Sequence, residues 1–219
     1  MPNETPLVRR TVRSGGVLLA VAAAQFVAVL VLVENRYPGF DPWTTTVTSL
    51  ASAPAPWGLI FDASWIALGV LGALGLLFSW SAFDARRTRG LGLLVLWVAA
   101  GGIVAIGLFG LLGARLPADA LRAATYVAAV ATGLGLVVVA SAMHREERWH
   151  VSRLYTLASG AVVLGGAALY AARLNLGLTA GGLERIVLGV ALLWALVEGL
   201  HIALLHRFAP GLQVKIASA

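Results

Sequence analysis

Residues 15–33 read GGVLLAVAAAQFVAVLVLV. The stretch carries no charge and no proline. As an α-helix rising about 1.5 Å per residue, it crosses nearly all of the roughly 30 Å hydrocarbon layer of a bilayer. Five further apolar runs follow, at residues 57–83, 91–112, 123–143, 154–172 and 183–205. None contains a proline. The reading is a single all-α, polytopic membrane domain over residues 1–219, a bundle of six transmembrane helices.

Composition agrees with that reading. Of 219 residues, 59% are hydrophobic and 12% charged, and the mean hydropathy is +0.87. Soluble domains carry about 25% charge and about 45–50% apolar residues. There is no room for a soluble domain of ordinary size beside six spans. The net charge of +6 sits in short loops, where it sets topology and meets anionic headgroups rather than nucleic acid. Cysteine is absent, which excludes disulfides, thiolate metal sites and a cysteine nucleophile.

Arg9, Arg10 and Arg13 followed by Ala20-Val21-Ala22 imitate a signal peptide. The apolar run continues to Val33, which fits a retained span. Lys and Arg then set the orientation. Eleven of them fall at the N-terminus, the second and fourth loops and the C-terminus. Five (Arg36, Arg115, Arg122, Arg173 and Arg185) fall on the other side. The positive-inside rule places both termini in the cytoplasm, in the cell (plasma) membrane.

The first outer loop, residues 34–56, is longer than a hairpin needs. Asp41-Pro42 reads as an N-cap followed by proline at the first helical position. The sequence predicts a short interfacial helix over residues 42–52. Thr45, Thr48, Ser49 and Ser52 would share a hydroxyl stripe, with Trp43, Val47 and Leu50 on a headgroup-facing side.

Ionisable groups inside spans are costly and mark candidate sites. At the outer end these are Asp62, with Ser64 beside it, and Glu184 and Arg185. With the hydroxyl stripe they form a candidate ligand-binding set. The plain structural alternative is that Asp62 pairs with Arg185 or Arg173. Deeper in the sixth span, Glu198 and His201 are spaced as a structural polar pair. One Glu-x-x-His copy without further carboxylates does not make a di-iron site, so no metal and no cofactor are expected. The glycines at 69, 72 and 75, and at 107, 110 and 113, read as close helix packing. Trp149 reads as an interfacial anchor.

Arg36-Tyr37-Pro38-Gly39-Phe40-Asp41-Pro42, Val47-Thr48-Ser49-Leu50-Ala51, and Gly182-Leu183-Glu184-Arg185-Ile186 with Trp194 resemble the domain-of-unknown-function family 998. That is a set of six-helix prokaryotic membrane proteins. The resemblance runs over the whole chain and implies the six-helix fold, but no activity. Relatives often carry a glutamate in the first loop and a histidine opening the fourth span. Here Thr48-Ser49-Leu50 and Ala123-Ala124-Thr125-Tyr126 have neither.

Three functional readings stand. The preferred one is a non-catalytic protein that binds a lipid, a small ligand, or a membrane-protein partner (a second copy included) through an outward polar pocket. The second is a lipid hydrolase with Ser49 or Thr48 as nucleophile and Asp62 as base. It lacks an outer histidine to activate the hydroxyl. The third is a small transporter, disfavoured by the scarcity of polar groups at mid-membrane and by the absence of an evident inverted repeat.

Overall fold

The computed structural model describes residues 6–37, 39–52, 56–79, 86–112, 118–143, 149–172, 174, 177 and 179–204. Among them are six long helices: α1 (Pro6–Glu34), α2 (Pro56–Phe78), α3 (Arg86–Leu111), α4 (Ala118–Ala142), α5 (His150–Ala171) and α6 (Ala180–Leu204). All six are long and apolar enough to cross a membrane. No strand occurs among the described residues.

Each helix packs on its neighbour in sequence, and α6 returns to pack on α1, so the six form a closed ring. Small residues set the closure. A methyl group on Gly16 would stand 2.5 Å from the Gly199 carbonyl oxygen, and one on Gly199 would stand 2.7 Å from the Gly16 carbonyl oxygen. The α1 and α6 backbones therefore touch where both residues lack a side chain. Gly69 and Gly75 are similarly packed, but Gly72 meets nothing within 4 Å. Gly113 lies outside the described residues, as do residues 80–83 of the second predicted span.

Large side chains fill the ring in two layers. Toward the end that carries the termini, Leu93, Leu136, Trp149 and Trp194 belong to one cluster. Toward the opposite end, the first-loop end, Phe26, Phe61 and Trp65 pack edge to face or tilted, with centroids 4.5–5.9 Å apart. Trp149 is fully buried, its ring against that of His201. It is a core residue rather than an interfacial anchor.

The first loop differs from its predicted form. Residues 42–44 make turns, and the helical piece is a 3-10 helix, Thr48–Ser52. Val47 and Leu50 are buried in the same cluster as Phe26 and Trp65, while Trp43 is 64% exposed. The loop lays two apolar side chains over the end of the ring and helps close its core.

Candidate functional site

The first loop begins as the sequence predicts. The Asp41 carboxylate accepts the Trp43 N–H at 3.0 Å and the Thr44 hydroxyl at 2.8 Å. The Thr45 N–H donates to the Asp41 carbonyl oxygen at 2.9 Å. This is one capped helical turn. The Trp43 N–H, with the Thr44 hydroxyl, holds the Asp41 carboxyl below its ordinary value of 3.8. A carboxyl depressed in the folded chain adds stability above its unfolded pKa and loses it as pH falls through the folded value. An NMR titration should place the Asp41 midpoint below 3.8, with the Trp43 amide shift following the same curve.

The turn does not continue, and α6 is the reason. A continuing helix would bond the Val47 N–H to the Trp43 carbonyl. Both groups are taken by the start of α6 instead. Val47 N–H donates to Glu184 Oε2 at 2.7 Å, and Thr48 N–H donates to Glu184 Oε1 at 3.1 Å. The Trp43 carbonyl accepts the Gly182 N–H at 3.2 Å. The Thr45 carbonyl accepts Arg185 Nη1 at 2.7 Å. Ser49 N–H then turns back to the Thr46 carbonyl at 3.2 Å, which starts the 3-10 helix. Glu184 thus caps that helix from a distant segment, satisfying donors that its first turn leaves open.

Arg185 ties in a third element. Its Nη2 bonds Glu34 Oε1, at the end of α1, at 2.8 Å, and Nη1 also reaches the Gly181 carbonyl at 3.2 Å. The guanidinium stands 5.3 Å from the Phe40 ring centroid, a cation–π distance. Gly181 lets the loop come this close, since a methyl there would stand 2.5 Å from the Thr45 carbonyl oxygen. Thr179 caps α6 by accepting the Gly182 N–H at 3.2 Å.

Of the predicted set, Thr45, Thr48, Glu184 and Arg185 therefore meet in one hydrogen-bonded clamp. The hydroxyls do not share a face. Thr48 is buried, while Ser49 is exposed and donates to the Thr46 carbonyl at 2.6 Å. Ser52 ends the 3-10 helix, and its side chain lies outside the described residues, as does Arg173.

Asp62 and Ser64 stand apart from the clamp. Asp62 is 2% exposed, and its Oδ1 has no hydrogen-bond partner among the described residues. Its carboxyl lies against Gly110 of α3, where a side chain would strike it. The expected Asp62–Arg185 pair is not formed, because the ring sets Arg185 beside α1 and Glu34. No hydroxyl among the described residues bonds Asp62, so the pairing a Ser49 or Thr48 nucleophile would need is not made there. Ser64 instead donates to Gln25 Oε1 at 3.2 Å, and Gln25 Nε2 returns to the Ser64 carbonyl at 3.2 Å, bridging α1 and α2. An unpartnered buried polar atom costs about 1–3 kcal/mol. Asp62→Leu, which keeps the branched shape against Gly110 and removes both oxygens, should raise the unfolding free energy in detergent by roughly that amount.

Near the terminal end, His201 Nδ1 lies 3.5 Å from Glu198 Oε2 and 2.7 Å from Ser152 Oγ. Hydroxyl and carboxylate face the same ring nitrogen. A nucleophile–base–acid relay uses both ring nitrogens, so this group is a polar contact between α5 and α6. No cluster of three or more metal-ligating side chains occurs among the described residues.

The sequence reading missed Glu34 as the partner of Arg185 and Gln25 as the partner of Ser64. Gln25 had a signal, as the one amide inside the apolar run 15–33. Glu34 had none beyond its place at the first-loop end of the first span.

No curated protein matches this chain, and no solved structure does. A family model described as "Protein of unknown function (DUF998)" matches residues 20–201. The residues behind the resemblance, Gly182 and Glu184-Arg185 at one end and 36–51 at the other, are the two halves of the clamp. The chain is a multi-pass helical membrane protein of the DUF998 family.

Proposed function

We propose that this protein is a non-catalytic membrane protein that binds the acyl chain of a membrane lipid beside the first-loop clamp. One observation carries the reading: a groove of about 40 Å³ between α4, α5 and α6, lined by Tyr126, Ala129, Gly166, Tyr170, Leu183 and Glu184 among others. The groove lies where the ring is loosest, since α5 and α6 touch less than any other adjacent pair. Pockets for drug-sized solutes measure about 300–1,000 Å³. This groove is far smaller and suits part of a hydrocarbon chain.

Its polar surroundings fit a lipid. Thr125 bonds the Leu121 carbonyl at 2.9 Å, and Glu184 is engaged by the loop amides. Tyr126 is 39% exposed, and tyrosines favour the headgroup level with their hydroxyls toward water. With the positive-inside count, the termini face the cytoplasm and the clamp faces outward.

Native mass spectrometry in mild detergent tests the proposal. The wild-type chain should retain bound lipid, and Ala129→Phe, which fills the groove, should lose it while keeping its helical circular dichroism. A bare wild-type monomer, or an equal lipid load on Ala129→Phe, would sink the idea.

A further inference from the structure

The terminal half of the ring holds a second cavity, of about 10 Å³. Its lining includes Leu19, Leu76, Leu93 and Trp194, with two polar side chains, Ser79 and Glu198. Ser79 is 1% exposed and Glu198 2%. Neither Ser79 Oγ nor Glu198 Oε2 has a hydrogen-bond partner among the described residues. The indole of Trp194 does not serve them, because its N–H donates to Thr156 Oγ1 at 2.9 Å. The rest of the lining is aliphatic or thioether.

A site for one water needs about 10–15 Å³ and at least two polar partners. The cavity has that volume and two polar side chains in its lining, and it is too small for a larger ligand. We propose that it is a hydration site, holding one water that accepts from the Ser79 hydroxyl and donates to Glu198 Oε2. The water joins groups that already stand in sequence across the ring. Ser152 and His201 are 2.7 Å apart, and His201 and Glu198 3.5 Å. Ser79 lies at the end of α2, across the ring from α5. The terminal half of the bundle then contains a polar path from α5 through α6 to α2. It starts at the partly exposed His201, whose side chain is 32% accessible, and ends in the aliphatic interior. Buried polar groups of this kind are retained at such depth when water or another partner satisfies them.

Solid-state NMR of liposome-embedded protein labelled with 13C-glutamate tests the site. The readout is magnetisation transfer from water to the Glu198 carboxyl, which Glu198→Gln assigns by removing the signal. The wild-type carboxyl should receive water magnetisation. Ser79→Val, which removes the hydroxyl and fills the cavity, should abolish that transfer and leave transfer to Glu34 unchanged. Ser79→Ala should weaken it in the same direction, which keeps the test alive if the valine variant does not fold. No transfer in the wild type, or transfer unaltered by both Ser79 variants, would overturn the proposal. So would a Glu198 signal that moves when sodium is exchanged for choline, which would mark a cation instead.

Discussion

Glu184→Ala is expected to destabilise the protein by about 2–4 kcal/mol, because it leaves two loop amides without an acceptor at roughly 1–3 kcal/mol each. The carboxylate accepts from two amides at 2.7 and 3.1 Å. Hydrogen bonds to a charged group contribute about 1.5–3 kcal/mol each. The Val47 and Thr48 amides lie beside side chains buried in the core, so water cannot replace Glu184 without withdrawing the loop. Glu184→Gln should fall between wild type and alanine. It keeps one carbonyl acceptor but loses the charge and the second acceptor. Unfolding of purified protein in mixed micelles, followed by circular dichroism, measures both. Equal stability of wild type and alanine variant would mean the loop is held by other contacts.

Arg185→Ala should cost about 2–4 kcal/mol, in line with about 1.5–3 kcal/mol for a hydrogen bond to a charged group, and Arg185→Lys more than half of that. Arg185 joins Glu34, the Thr45 carbonyl and the Gly181 carbonyl through two separate nitrogens. A lysine offers one ammonium and cannot reach both sides of the fork. The Arg185–Glu34 pair is only 21% exposed on each side, so salt screens it less than a surface pair. The same unfolding experiment at low and high salt checks this. A variant loss that vanishes in high salt would assign the contribution to long-range charge rather than to the three bonds.

The helices were legible because each carries its own signal. A run such as 15–33 states its length and hydropathy without reference to any other residue. The ring order was not legible, and most of the differences at the site trace to it. Asp62, Arg173 and Arg185 belong to spans meeting at one end, and the sequence cannot say which charge lies beside which. The ring seats α6 against α1, so Arg185 finds Glu34 while Asp62 faces Gly110.

The loop shows a second limit. Asp41-Pro42 caps a helical turn, as local rules predict. The predicted helix over 42–52 assumed that those amides and carbonyls bond one another. Glu184, Gly182 and Arg185 instead take the Val47, Thr48, Trp43 and Thr45 groups from more than a hundred residues away. The hydroxyl stripe dissolves for that reason, and Val47 and Leu50 turn inward. The Gly182–Arg185 segment was visible as a motif. Its partner was visible as a polar loop. Only their contact was hidden.

The clamp rests on that contact, and hydrogen exchange at two amides reports on it. In bilayer-embedded wild type, the Val47 and Thr48 amides should exchange far more slowly than the exposed Thr44 amide. In Glu184→Ala they should approach the Thr44 rate while the helices keep their protection. Fast exchange at Val47 and Thr48 in the wild type, or unchanged protection in the variant, would contradict the clamp.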